Sequence, residues 1–283
     1  MKTKTTSISH WQVTGAMAPE SYFRLEERHG FSPEEVIDVL QGKYLGVIYR
    51  DAVDPQVSNS MLQEFWQSQA TRRRADAPSC FLGTYHFNKS VEAYLTESAE
   101  INPSVERLVE LPGSPWRSFR DTVDARLRRD GTELRVAQMA DQKACLALFR
   151  SWDAEGEFAL YPHEDMSQCQ DPRQAGFEIQ RVVNHEVCAV NICLTNGPGG
   201  RLVIWNIRPD EATKERLGIK HTGFSYPPSE LAGLEELRVE IRAGDIYVFN
   251  GAYVHAVEPT QGLRANISFF IGRLDDQTVA TWT

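Results

Sequence analysis

From about residue 136 the chain breaks into short apolar runs: EFALY, EIQRVV, VCAVNICL, RLVIWNI, LRVEI, DIYVFN and ANISFFIG, with turn signals between them. Their lengths, β-branched content and spacing are those of strands. Roughly seven or eight antiparallel strands in succession point to a sandwich or a jelly-roll barrel. Asn196-Gly197-Pro198-Gly199-Gly200, between two of the runs, reads as a hairpin turn. Residues 208–234 interrupt the pattern as a long insert.

The first half reads mainly helical. Ser32-Pro33-Glu34-Glu35 supplies an N-cap, a proline at the first helical position and two acids in the first turn, ahead of VIDVL. Asp54-Pro55 opens a second helix, with Met61, Leu62, Phe65 and Trp66 on one face. Two more helices are expected at about 89–98 and 115–129. Helices first and strands later predict an α+β fold: a jelly-roll core at about 131–275, braced by a helical part at about 1–130. No repeat and no Pro/Gly/Ser-rich linker divides the chain, so a single domain over 1–283 is expected.

With 41% hydrophobic and 10% aromatic residues the chain can bury a sizeable core. Its formal charge of -9 repels phosphate backbones, so a nucleic-acid partner is not expected. Arg72-Arg73-Arg74 is read as a solvated turn or helix end. The five cysteines form no C-x-x-C pair, which fits a reducing cytoplasm. The N-terminus, MKTKTTSISHWQ, lacks the apolar core of a signal peptide, and no run of about 18 apolar residues exists to cross a membrane. The expected partner is a small molecule. Whether the chain forms a homodimer is left open.

Two of the seven histidines stand at telling places. Tyr161, the last residue of EFALY, leads directly into Pro162-His163-Glu164-Asp165. On an extended segment His163 and Asp165 would share one face, with Glu164 on the other. An imidazole and a carboxylate are two-thirds of a 2-His-1-carboxylate triad, which leaves iron(II) open positions for a bidentate co-substrate and O₂. The third ligand is expected at His255, after the turn-strand-turn segment Gly244-Asp245-Ile246-Tyr247-Val248-Phe249-Asn250-Gly251 and 255 − 163 = 92 residues from His163. Nine residues later (264 − 255) Arg264 opens an apolar strand, where a guanidinium can grip a carboxylate by two parallel hydrogen bonds. Ser268, four residues on, shares its strand face and adds a hydroxyl.

The pattern H-x-D…H…R-x-S, altered here only in the arginine-to-serine spacing, resembles the Fe(II)/2-oxoglutarate-dependent oxygenases with a double-stranded β-helix (jelly-roll, cupin-like) core. Over about residues 45–275, ALFRSWDAEGEFALYPHED, GGRLVIWNI and AGDIYVFNGAYVHAV look like the branch holding the N-succinyl-amino-acid hydroxylase and the welwitindolinone-type halogenases. Those halogenases have glycine where this chain has Asp165, so the carboxylate implies hydroxylation. The resemblance implies Fe(II), 2-oxoglutarate and O₂, with succinate and CO₂ as co-products and Arg264 pairing the distal carboxylate of 2-oxoglutarate.

Further positions carry weaker expectations. Asn191 and Thr195 either reach the co-substrate or cap a turn, and Trp205 either walls the site or packs in the core. Arg150 is a candidate anchor for a substrate carboxylate, with a surface ion pair as the plain alternative. Tyr85 and His86 are candidate substrate contacts from an upstream segment, whereas His185 and His221 are read as structural or surface. The implied substrate is a small amino acid or N-acylated amino acid, with an alkaloid- or nucleoside-type intermediate as the alternative. A cupin-like metal protein not using 2-oxoglutarate is the rival of another class, and it has no need of Arg264.

Overall fold

The computed structural model describes residues 12–74, 79–152 and 157–283. Most of the opening stretch and residues 153–156, part of the resemblance, lie outside the described residues. The four expected helices form, each with a visible local cause. α1 (Pro33–Leu40) begins on its proline with Glu34 and Glu35 beside the positive helix end, although the Ser32 side chain makes no capping bond. α2 (Pro55–Gln67) is capped by Asp54, which accepts from the Gln56 N–H at 2.7 Å. Met61 and Phe65 are buried on it, but Trp66 is 46% exposed and does not share their face. α3 (Val91–Val109) runs well past the expected end and through Pro103, because Ile101, Val105, Leu108 and Val109 bury its second half. α4 (Pro115–Arg128) buries Trp116, Phe119, Val123 and Leu127.

Two large sheets carry most of the rest, beside two short two-stranded ones. The larger is ten-stranded, and its main path runs Leu25–His29, Gly46–Arg50, Ile246–Asn250, Val187–Thr195, Arg264–Asp275, Leu148–Trp152, Ser79–Leu82 and Arg72–Arg73. Thr278–Trp282 extends it from the far half of the long strand and pairs in parallel with Glu133–Val136. The smaller sheet is antiparallel, in the order Leu160–His163, His255–Val257, Leu202–Trp205, Glu236–Val239. One face of the larger sheet packs Val190, Ile192, Val248, Ile267 and Phe269 against the four helices. Its other face meets the smaller sheet through Ala189, Tyr247, Phe249, Leu202 and Ile204. Each fully buried Val, Leu, Ile or Phe among these contributes roughly 1.5–3 kcal/mol.

Three sequence expectations change. Helices hold most of the regular structure of the first half, as expected, but that half also supplies five strands of the larger sheet: Leu25–His29, Gly46–Arg50, Arg72–Arg73, Ser79–Leu82 and Glu133–Val136. In Gly46–Arg50 all five residues are buried, so the run has no alternation to announce a strand. EIQRVV is not a strand but a 3₁₀-helix, Glu178–Asn184. Ile179 and Val182 are buried three residues apart, the repeat of that helix, on the flank of the long strand. The glycine-rich Asn196–Gly200 segment is no hairpin: it leaves the larger sheet at Thr195 and enters the smaller one at Leu202. The insert at 208–234 folds as α6 (Glu211–Leu217) and α7 (Pro228–Leu231), preceded by the short α5 (Met166–Cys169) after His163. No described helix is long and apolar enough to cross a membrane.

Candidate active site

The strand register brings the site together. His163 and His255 are directly opposed on neighbouring antiparallel strands, and their ring centroids are 4.2 Å apart. Asp165 does not lie on an extended segment. Its backbone has already turned helical at the start of α5, and this swing carries its carboxylate to the Nε2 edges of both rings. Oδ1 lies 3.9 Å from His163 Nε2, and Oδ2 lies 3.4 Å from His255 Nε2. One ligand atom from each of the three fits within 4.8 Å of the others. Glu164 points the other way, as expected, and its Oε2 accepts from the backbone N–H groups of Met166 and Ser167.

Both imidazoles are oriented by their own strands. His163 Nδ1 bonds the Tyr161 carbonyl at 2.8 Å, and His255 Nδ1 bonds the Tyr253 carbonyl at 2.9 Å. A carbonyl can only accept, so each Nδ1 holds the proton and each Nε2 keeps a free lone pair. Burial pushes His163 down to about 4, with Arg150 adding to it, and pushes His255 well below its ordinary range, with His163 second. Both rings are therefore neutral, the form that ligates a metal. Burial pushes Asp165 well above the usual carboxylate range, and Glu164 adds to this. Asp165 Oδ1 accepts from Gln168 Nε2 at 3.0 Å, whereas the buried Oδ2 has no hydrogen-bond partner among the described residues. A buried oxygen left unpaired costs about 1–3 kcal/mol. Two lone pairs and an orphaned carboxylate oxygen converging on one spot fit a divalent cation, and the donor set is the one iron(II) takes.

Gly251 makes room for this carboxylate. A Cβ there would overlap Asp165 Oδ2 and stand 3.0 and 3.1 Å from Asp165 Cβ and Cγ. The Gly251 carbonyl also accepts from the Asp165 N–H at 2.7 Å.

The triad opens on a cavity of about 200 Å³ between the sheets. Arg264, Asn266, Ser268 and Phe270 alternate along one face of the long strand and all line it, as do Leu148, Arg150 and Trp152 from the neighbouring strand. Arg264 is fully buried and donates to the Gly200 carbonyl, and through Nη2 to the Tyr247 hydroxyl at 3.0 Å. Its Nε has no partner among the described residues. Ser268 donates to the Leu148 carbonyl at 3.3 Å. Asn191 lines the cavity in register with Ser268 and Tyr247. Thr195, at the strand end, is not on the cavity wall. Trp205 is buried in the apolar layer behind the smaller sheet and packs on Phe158, so the packing reading holds for it.

Tyr85 reaches the cavity, but His86 turns away from it, buried against the edges of Tyr94 and Phe270. Arg74 is on the wall, which corrects the reading of the basic run as wholly solvated. Gln168, Tyr247 and Asn266 were missed. For Tyr247 and Asn266 a signal existed in the alternation itself, since they sit two residues from Phe249 and Arg264 on inward-facing positions.

No family model matches the chain. It is 35% identical over 207 residues to the L-isoleucine 3(1)-dioxygenase of Pantoea ananatis (strain AJ13355), covering 71% of this chain and 69% of that protein. Among solved structures it is similar to an N-substituted L-amino acid dioxygenase from Burkholderia ambifaria AMMD, with a TM-score of 0.60, 13% identity, and 91% and 97% of the two chains covered. The same enzyme in complex with alpha-KG gives a TM-score of 0.58, with the same identity and coverage. At this identity the structural likeness concerns the fold.

Proposed function

Because this chain belongs to the Fe(II)/2-oxoglutarate-dependent oxygenases, we propose that it hydroxylates an unactivated C–H of a small aliphatic amino acid, free or N-acylated, with 2-oxoglutarate as co-substrate. The observation that carries this reading is the convergence of His163, Asp165 and His255 on one cavity wall, with the Arg264 guanidinium in the same cavity. The relative that acts, by its name, on L-isoleucine supports the substrate class. The two facing sheets support a double-stranded β-helix core, and we read the chain as one oxygenase domain. Its free cysteines fit a reducing cytoplasm.

His163 Nε2, His255 Nε2 and Asp165 Oδ2 would hold ferrous iron. When bound, it supplies O₂ activation toward an aliphatic C–H, coupled to conversion of 2-oxoglutarate to succinate and CO₂. The protein's own part is positioning and exclusion of water. Gln168 steadies one oxygen of Asp165 and leaves the other for the metal. Arg264 is pre-oriented by Gly200 and Tyr247, so it can grip the distal carboxylate of 2-oxoglutarate with little further ordering. Ser268, Asn266 and Asn191 offer polar groups along the same wall. The Asp165 carboxylate, seated beside the Nε2 atoms of both imidazoles, favours hydroxylation over halogenation.

The test is succinate release from 2-oxoglutarate with Fe(II) and ascorbate, over a panel of aliphatic amino acids and their N-acyl derivatives. Product masses raised by one oxygen are expected for at least one member. Full turnover by Asp165→Ala and Arg264→Ala variants would refute the assignment.

A further inference from the structure

We propose that Arg150, with Arg74 beside it, forms a second anion subsite in the cavity, which takes the carboxylate of the organic substrate and turns its apolar end toward the metal ligands. This deepens the amino-acid oxygenase reading and rests on it.

The Arg150 guanidinium has no anion of its own. It bonds no carboxylate or carbonyl among the described residues, and its Nε is buried without a partner. Arg264, by contrast, already donates to Gly200 and Tyr247. Burial pushes Arg150 down to about 10, with Arg74 adding to it, so it stays charged at neutral pH. An uncompensated cation in a cavity is costly to the fold, and an incoming carboxylate relieves that cost. Asp165 is the one acidic side chain among the described residues of the cavity wall, and it is committed to the triad, so an incoming ligand can bring the anion that Arg150 lacks.

The two arginines serve different ends. Arg264 pairs in register with Trp152, and Arg150 with Asn266, one two-residue step along the strand or roughly 7 Å. Each guanidinium lies over the Trp152 ring, at 5.3 Å for Arg150 and 5.6 Å for Arg264. With a co-substrate carboxylate on Arg264, Arg150 remains for a second one. Arg74 faces the same spot, with its guanidinium 5.9 Å from the Tyr85 ring.

The cavity wall beside the metal ligands is largely apolar. Phe224 lies 6.0 Å from the His163 ring and meets Phe87 edge-on at 5.9 Å. Leu160 and Val257 continue that wall. An amphiphile with its carboxylate at Arg150 and its hydrocarbon end at Phe224, beside the His163 ring, places side-chain carbons near the metal ligands.

The experiment measures succinate release with Fe(II) and 2-oxoglutarate, using paired probes: L-isoleucine against L-isoleucinamide, and N-acetyl-L-isoleucine against its amide. Each acid should exceed its amide by about tenfold or more in kcat/KM. Arg150→Leu should erase that preference, raising KM for the acid about tenfold or more while KM for 2-oxoglutarate moves less than about threefold. Arg264→Leu should give the opposite split. Arg74→Gln, at the end of an exposed strand, guards against misfolding of the Arg150 variant and should weaken the acid preference about threefold or more. Amides accepted as readily as acids, or an Arg150→Leu variant that keeps its preference or instead raises KM for 2-oxoglutarate, would overturn the subsite while leaving the oxygenase reading intact. If no probe stimulates succinate release although 2-oxoglutarate is slowly consumed with iron, the substrate class fails and the subsite fails with it.

Discussion

Gly251→Ala should disable the site without unfolding the protein. The backbone at Gly251 does not have the positive φ that alanine resists, so the substitution is conformationally permitted. The added methyl would overlap Asp165 Oδ2 and lie 3.0 and 3.1 Å from Asp165 Cβ and Cγ, where carbon contacts normally begin near ~3.5 Å. Relief requires the carboxylate to move by about 1 Å, away from the oxygen position 3.4 Å from His255 Nε2. Misplacement of that size in a catalytic constellation costs about 100-fold in rate, or ~2.7 kcal/mol of barrier. Ferrous titration followed by succinate release should show roughly 10–100-fold weaker metal binding and about 100-fold lower turnover. Thermal unfolding should shift by only a few degrees, because Gly251 keeps its backbone bonds to Asp165 and Val187. A variant with unchanged iron affinity and turnover would refute the claim that Asp165 Oδ2 is held for the metal.

Gln168→Leu removes the one side-chain hydrogen bond to Asp165 Oδ1, so metal affinity should fall roughly 10–100-fold in the same titration. Arg264→Lys loses the forked donor pattern, and KM for 2-oxoglutarate should rise about tenfold or more in steady-state assays, with little change in thermal stability. His86 is buried and pushed down to about 3, so between that value and the ordinary 6.5 the unfolded chain binds the extra proton and stability falls as pH drops. At pH 5 the cost is ~2 kcal/mol; denaturant titrations of His86→Leu should show a flatter pH dependence from 7 to 4 than the parent, and an equal slope would contradict this.

The site was legible in sequence where spacing alone sets direction. Period-two alternation puts Arg264 and Ser268 on one face, and the late Gly-Asp turn announces the strand that leads to His255. The H-x-D pair converges for a different reason from the one its spacing suggests, since Asp165 turns into α5 instead of continuing a strand. Gln168 escaped notice because its role depends on that four-residue helix. Leu148–Trp152 and Gly46–Arg50 were hidden because both are buried nearly throughout, so neither shows the apolar-polar alternation that announces a strand. Composition correctly described Arg72 and Arg73 as exposed but had no means of separating Arg74, whose position on the wall is tertiary. Local turn chemistry likewise identified Asn196–Gly200 as a turn without revealing which sheets it joins.

The most direct measurement is anaerobic titration of the purified chain with ferrous ion, alone and with 2-oxoglutarate, following bound metal by equilibrium dialysis and the iron–co-substrate complex by its visible absorption. One iron per chain is predicted, tightened by 2-oxoglutarate, with binding lost in His163→Ala, Asp165→Ala and His255→Ala. Stoichiometric iron retained by all three variants would place the metal elsewhere and contradict the account.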